Sequence, residues 1–202
     1  MKGAQQIVSS VLLTGVLIAV VTAVIAVGVP LLEKTRDTSV VENSRNFMLN
    51  VEDVIKDIAN HGGRTRIPIT INSEVFFDSS EDTLEMRLAT SGTIFDSEAT
   101  IPLGRNDCGI AEGKWQDNAP TTLCVISNCI DSSGDGCNLY TITYTLEPVE
   151  LIVGDTIESR IIELVSDGDE IGSKDSFIVL EKVGDDVTSN VKKTRVKLSI
   201  ES

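Results

Sequence analysis

The sequence predicts an α+β protein in which a long N-terminal hydrophobic α-helix precedes a mainly antiparallel, β-sandwich-like globular domain. Two observations support this fold class. No charged residue occurs between Ile7 and Leu32. From Arg66 onward, apolar and polar residues alternate with the period of two that half-buried strands show. Turns rich in Gly, Asp and Ser interrupt the alternation, which indicates several short strands rather than helices.

Residues 4–32 form the apolar part of the predicted helix. A helix from Ile7 to Leu32 would be about 39 Å long at 1.5 Å per residue, which exceeds the ~30 Å hydrocarbon core of a bilayer. A helix that is apolar on every side lies either in a membrane or against other apolar helices. The residues alone leave both interpretations open, although Gly15 and Gly28 favour close packing between helices.

Residues 33–63 continue the helix with an amphipathic pattern. Apolar residues recur close to a heptad spacing at Val40, Phe47, Val51, Val54 and Ile58, and Val41, Met48 and Ile55 widen the stripe. The sequence Asn60-His61-Gly62-Gly63 predicts the end of the helix, because glycine readily adopts the left-handed conformation after a last turn. Pro30 predicts a kink or a locally melted turn near Gly28.

The N-terminal sequence Met1-Lys2-Gly3-Ala4-Gln5-Gln6-Ile7-Val8 resembles the class III signal peptides of archaeal type IV pilins and archaellins. The resemblance covers the leader and the helix. It implies that residues 1–3 are removed by a prepilin-peptidase-like enzyme after Gly3, which leaves Ala4 as the new N-terminus. It also implies that residues 4–32 form the core of a filament, with packing residues Ile7, Val11, Leu12, Gly15, Leu17, Ile18, Val21, Val24, Ile25, Gly28, Pro30 and Leu31.

The function implied by this resemblance is that of a structural subunit in an archaeal type IV pilus-like surface filament. Identical subunits would form a helical homopolymer for adhesion, for cell–cell or surface contact, or for motility. The helix would lie in the cytoplasmic membrane until an ATP-driven machinery extracts it. The alternative is a membrane-anchored extracellular β-domain, either an envelope binding module or a filament-stator component, that does not polymerise.

The charge of the chain argues against nucleic acid as a main partner. The 31 acidic residues exceed the 17 Lys and Arg residues and give a formal net charge of −14. Such a surface repels phosphate backbones. We expect an acidic extracellular β-domain over residues 64–202. Its predicted strands are Arg66–Ile71, Thr83–Ala89, Thr121–Ser127, Leu139–Glu147, Ile157–Val165, Phe177–Lys182 and Val191–Ile200.

The four cysteines, Cys108, Cys124, Cys129 and Cys137, are clustered within residues 104–138. An even number of clustered cysteines behind a membrane-targeting segment predicts two disulfides in an oxidising compartment. The sequence leaves all three pairings open. It has no Cys-x2-Cys element of the kind that zinc sites use. Because residues 104–138 are rich in turns, we expect them to form an excursion from the sheet.

Catalytic motifs are not apparent, so an enzyme is not expected. The single histidine, His61, is predicted to cap the helix or to lie on the surface. Asp131, Ser133 and Asp135, followed by a glycine, resemble the first half of a calcium-binding loop, although the acid required at its twelfth position is replaced by Ile142. The alternative is a disulfide-closed turn. The sequence requires no cofactor.

Overall fold

The computed structural model describes residues 2–103, 108, 121–133, 136–148, 150–153, 158–188 and 191–202. Helix α1 (Lys2–His61) comes first. It is followed by the strands β1 (Arg64–Pro68), β2 (Glu74–Asp78), β3 (Thr83–Thr90), β4 (Thr100–Pro102), β5 (Thr121–Ser133), β6 (Gly136–Pro148), β7 (Glu150–Val153), β8 (Glu158–Val165), β9 (Glu170–Gly172), β10 (Phe177–Thr188) and β11 (Val191–Glu201). The predicted α+β class with mainly antiparallel sheets is confirmed.

Helix α1 is continuous along its whole length, including the turn at Gly28 and Pro30. Of the two outcomes predicted there, a kink or a locally melted turn, the continuous helix excludes the melted turn, and the kink stays a prediction. Taken as a whole the helix is not apolar, since charged residues recur from Glu33 onward. Among the residues described, no helical stretch is both long and apolar enough to cross a bilayer, so the expected transmembrane helix is not found.

The helix ends within the sequence Asn60-His61-Gly62-Gly63, where its end was predicted. Its last residue is His61, and the N–H of Gly62 donates to the carbonyl oxygen of Ile58 at 2.8 Å. Gly62 and Gly63 both have positive φ values, of 79° and 107°. Glycine adopts this conformation without the steric penalty that other residues incur. The two glycines therefore stop the helix and turn the chain into β1.

The strands form two sheets. Sheet A has the order β1-β10-β11-β8-β7, and sheet B has the order β4-β5-β6-β3-β2-β9. Neighbouring named strands pair in antiparallel fashion except β8 and β11, which are parallel with Ser159 opposite Val191 and Val165 opposite Lys197. Strand β1 lies at an edge of sheet A and ends at Pro68. A proline suits an edge strand because it cannot donate a backbone hydrogen bond.

One buried core joins both sheets to the second half of helix α1. Alternate residues of the strands point into it, for example Ile142, Tyr144 and Leu146 of β6. The helix contributes side chains spaced three and four residues apart, namely Val41, Ser44, Met48, Val51, Ile55 and Ile58. Val40, Phe47 and Val54 lie at the margin of this stripe. The buried face is therefore rotated towards Val41, Met48 and Ile55, which the sequence had suggested only as its edge.

The cysteines form the disulfides Cys108–Cys124 and Cys129–Cys137, which confirms the two predicted bonds and resolves their pairing. Cys124, Cys129 and Cys137 lie within the antiparallel hairpin of β5 and β6. The strand predicted over Thr121–Ser127 is confirmed, whereas the excursion predicted over residues 104–138 is wrong for residues 128–133 and 136–138. These residues extend the antiparallel pairing of β5 with β6 as far as Ser133 and Gly136. Apart from Cys108, residues 104–120 lie outside the described part of the chain.

Candidate functional site: the uncovered half of helix α1

The main candidate site is an apolar segment of helix α1 that no other described part of the chain covers. We call residues 13–32 the uncovered half. Its large apolar side chains have relative exposures from 46% at Val29 to 72% at Leu32. The others in this set are Leu13, Val16, Leu17, Ile18, Val20, Val21, Val24, Ile25, Val27 and Leu31. Contiguous exposed apolar surface of this kind marks a site of interaction with a protein or a lipid.

Two polar contacts fix helix α1 where it leaves the domain. The carboxylate of Asp37 accepts hydrogen bonds from the backbone N–H of Ser91, at 2.8 Å, and from the Ser91 hydroxyl. One turn further on, the buried hydroxyl of Tyr144 donates to the backbone carbonyl of Val41 at 2.8 Å. The uncovered half therefore precedes the part of helix α1 that is held by Tyr144 of strand β6 and by Ser91, the residue after β3.

Burial governs the chemistry of Tyr144. Its ring is fully buried and makes an edge-on contact with Phe95, with ring centroids 6.2 Å apart. Loss of water around the phenol raises its pKa well above the usual value, and the positive charge of Arg45 opposes this rise only partly. The hydroxyl consequently stays protonated and remains a donor to the helix.

A second set of contacts holds the carboxyl end of the helix. The ammonium group of Lys182 donates to the carbonyl of Ala59 at 3.0 Å and lies 3.0 Å from a carboxylate oxygen of Asp185. The nearly buried hydroxyl of Thr194 donates to the other oxygen of Asp185 at 2.8 Å. The Thr194 hydrogen bond is the largest cause of a lowered Asp185 pKa, followed by the hydrogen bond from Lys182. These contacts join the last turn of the helix to sheet A.

Most of the predicted filament-core residues lie in the uncovered half. Leu17, Ile18, Val21, Val24, Ile25 and Leu31 are exposed there. Gly15 and Gly28 have open space around them, since a Cβ atom built at either position would meet nothing within 4 Å. The side chains of Ile7, Val11, Leu12 and Pro30 lie outside the described part, although their backbone is helical. The cleavage after Gly3 predicted for this chain also stays a prediction.

The remaining candidate groups do not come together as a chemical centre in the described residues. Asp131 is exposed in β5 at an irregularity of the β5–β6 pairing, Ser133 lies opposite Gly136, and Asp135 is outside the described residues. Over the described ranges, no three acidic, histidine or cysteine side chains are grouped as a metal site would require. His61 is exposed and lies 2.8 Å from Asp57 one turn earlier in the helix, which agrees with a surface position.

The outer face of sheet A differs sharply from the uncovered half. Lysines and arginines of β11 pair with acidic residues of β10 and of the bend after β8, including Arg195–Asp186 at 2.7 Å and Lys197–Asp167 at 2.6 Å. At the β1 edge, the guanidinium group of Arg66 lies 3.8 Å from the centroid of the Phe177 ring. Exposed ion pairs contribute little stability but keep a surface hydrated. This face is therefore suited to contact with water.

A groove lies along one side of helix α1, on the part of the helix that follows the uncovered half in the sequence. Its lining residues are Val40, Asn43, Asn46, Phe47, Thr70, Ile71 and Asn72, and its volume is about 610 Å³. We call it the helix-side groove. The segment after β1 forms its second wall, and reciprocal backbone hydrogen bonds of 2.8–2.9 Å between Ile69 and the pair Asp175 and Ser176 fix that segment. No sequence pattern predicted this groove, because its two walls are far apart along the chain.

Comparison with known proteins finds no matching family model, no matching curated protein and no matching solved structure. The functional interpretation therefore rests on the geometry of helix α1 and on the N-terminal sequence.

Proposed function

We propose that this chain is a structural subunit of a type IV pilus-like surface filament and that it polymerises through the uncovered half of helix α1. The observation that carries the proposal is the division of one continuous helix into two parts. The part after Asp37 is built into the core of the domain, whereas residues 13–32 expose apolar side chains around the helix. Such a helix can hold a domain at a fixed position beside a bundle of identical helices.

Burial of the uncovered half against identical helices drives bundling once the helix has left the lipid, whereas extraction from the membrane needs the ATP-driven machinery. Covering a Val, Leu or Ile side chain contributes roughly 1.5–3 kcal/mol when it is removed completely from water. Gly15 and Gly28 leave open space at the helix surface, so a second helix can approach closely there. The helix also enters the domain without a flexible linker, which favours an ordered polymer over a loosely attached anchor.

The assembly route follows from the resemblance of the N-terminal sequence to archaeal class III leaders. A prepilin-peptidase-like enzyme would remove residues 1–3, and the cytoplasmic membrane would hold the helix before assembly. An ATP-driven machinery would then transfer subunits into the filament at the cell surface. The two disulfides support an oxidising, extracellular location for the domain. The filament would serve adhesion, cell contact or motility.

A second candidate function uses the same exposed surface. The uncovered half could stay in lipid as the anchor of an extracellular β-domain that binds the envelope or a filament without polymerising. The uncharged character of residues 13–32 favours this reading as well, because lipid tails and apolar helices cover such side chains equally. The two functions differ in whether copies of the chain contact one another.

A matched pair of substitutions separates the two functions. Val24 and Val187 are 65% and 71% exposed, but only Val24 lies in the uncovered half. In cells that produce the protein, we expect wild type and Val187→Glu to give filaments in material sheared from the surface. Val24→Glu should give none, although membrane fractionation should still recover the chain. Electron microscopy with an antibody to the β-domain provides the measurement. Membrane-bound monomers in the wild type would contradict the filament proposal.

A further inference from the structure

We propose that the helix-side groove receives the uncovered half of α1 from a second copy of this chain. The inference rests on the proposed function and extends it, because it names the surface of the domain that the neighbouring helix contacts. The occupant is thus a second copy, and the contact would join the apolar helix of one subunit to the domain of another.

The first argument is the match in charge between the two surfaces. Charged residues make up 24% of the chain, yet none of the seven residues that line the groove is charged. The uncovered half carries no charge either. A charged partner segment would lose its hydration in the groove without gaining an ion pair, whereas residues 13–32 lose none.

The second argument is that the groove continues a face of the uncovered half. Val29 and Ile18 lie eleven and twenty-two residues before Val40, which lines the groove. Because eleven residues make about three turns of an α-helix, these side chains lie close to one line along the helix. Ile18 and Val29 are exposed, and Val40 is only partly buried. A second helix lying along this line would contact all three and then enter the groove beside Phe47.

The third argument concerns hydrogen bonding inside the groove. Asn43, Asn46 and Asn72 present amide groups there, and each amide carries two N–H donors. In the uncovered half, the hydroxyl of Thr22 donates to the carbonyl of Ile18 at 2.8 Å. Its oxygen still has the capacity to accept a hydrogen bond. Hydrogen bonds of this kind between polar side chains stabilise contacts between otherwise apolar helices.

The groove is also preformed, which lowers the entropy lost on binding. One wall is helix α1, held by the Tyr144 contact to Val41. The other wall is fixed by the hydrogen bonds between Ile69 and residues 175 and 176, and Ser73 donates from its backbone to Ile71 at 2.9 Å.

Photo-cross-linking in the producing cells tests the contact directly. A photoreactive benzoylphenylalanine replaces Asn46 in the groove, and in a control it replaces Asn60, which is exposed on the same helix outside the groove. We expect irradiation to give a covalent dimer only from position 46. The linked tryptic peptide should be the one that ends at Lys34, which contains the uncovered half. A dimer linked to a strand of the domain, equal dimer from both positions or no dimer would overturn the inference.

A pair of charge substitutions provides an independent readout. We expect Asn43→Lys to reduce the amount of filament in the sheared fraction at least tenfold, because the ammonium group would be buried against an uncharged helix. Asn60→Lys adds the same charge outside the groove and should leave the amount unchanged. Normal filaments from Asn43→Lys would overturn the groove assignment while leaving the proposed function intact. Absence of filaments from the wild type would refute both.

Discussion

At the scale of single residues, Tyr144 links the centre of sheet B to helix α1. Its hydroxyl donates to the carbonyl of Val41, and its ring is fully buried. Tyr144→Phe keeps the ring but removes the hydrogen bond, so we expect the free energy of unfolding to fall by about 0.5–1.5 kcal/mol. Urea unfolding of the detergent-solubilised chain provides the measurement. Tyr140→Phe, in the same strand, is the control, and equal effects of the two changes would contradict this role of the hydroxyl.

Asp185 predicts a dependence of stability on pH. Its pKa is lowered in the folded protein, first by the hydrogen bond from Thr194 and then by that from Lys182. A lowered folded pKa means that the stabilisation is present above the ordinary aspartate value of about 3.9 and is lost as the pH falls through the folded value. We therefore expect wild type to be more stable than Asp185→Asn at pH 6, and the difference to shrink towards pH 3.

Thr194→Val distinguishes the cause of that pH dependence. It removes the donor that lowers the Asp185 pKa most, so the loss of stability between pH 6 and pH 3 should become smaller than in wild type. Thermal unfolding at several pH values would measure both variants. An unchanged pH profile in Thr194→Val would show that the hydrogen bond does not set the titration of Asp185.

At the scale of elements, the tip of the β5–β6 hairpin depends on its disulfide. Strand β3 pairs with β6 only as far as Tyr140, so the hairpin beyond that point consists of two strands. A two-stranded ribbon is marginally stable alone, and Cys129–Cys137 closes it. Replacing both cysteines by alanine should speed amide exchange at residues 130–139 and lower stability by up to about 3 kcal/mol.

The other disulfide gives the control for this experiment. Cys108–Cys124 joins β5 at a point where β4 and β6 flank it. Replacing Cys108 and Cys124 by alanine should therefore leave exchange in residues 130–139 close to the wild-type rate. If both double variants speed exchange there equally, the ribbon does not depend on its own disulfide.

The length of each element largely determines whether the sequence could predict it. Long alternating segments were recognised as strands, and β1 was recognised with shifted bounds. The short strands β2, β4, β7 and β9 were not predicted, because segments of three to five residues carry little periodic signal. All apolar residues of the predicted stripe on α1 are buried or partly buried, but two polar members of the buried face were missed. Ser44 is fully buried, and Glu52 is nearly buried with its carboxylate 2.7 Å from the ammonium group of Lys56. A pattern based on apolar residues alone passes over both.

The sequence likewise predicted one of the two candidate surfaces and not the other. The uncovered half was predictable because its lack of charge is a local property of the sequence. The helix-side groove was not, since Thr70, Ile71 and Asn72 reach the helix only through the pairing of β1 with β10 and the hydrogen bonds at Ile69. The parallel pairing of β8 with β11 is likewise a tertiary feature that no local pattern specifies.

At the scale of the whole molecule, charged residues and exposed apolar residues occupy different parts of the chain. The charged residues lie almost entirely after Leu32, and the exposed large apolar side chains lie mostly before Glu33. This separation predicts that the domain folds without the uncovered half. A chain of residues 36–202 retains Asp37, which bonds Ser91, and Val41, which begins the buried face. We expect it to be monomeric in sedimentation experiments and to unfold within a few degrees of the full-length chain.

A shorter chain of residues 46–202 tests where the helix becomes essential to the domain. It lacks Asp37 and the buried Val41, and it leaves the Tyr144 hydroxyl without the acceptor that it contacts in the intact chain. Loss of one buried apolar side chain and two polar contacts should lower stability by at least about 2 kcal/mol. For a domain of this size, about 2 kcal/mol corresponds to a decrease in Tm of roughly 4–8 °C, measurable by circular dichroism. If both chains unfolded at the same temperature, the boundary between the domain and the uncovered half would have to lie after residue 45, and the first contacts of the helix with β6 and Ser91 would contribute nothing to the fold.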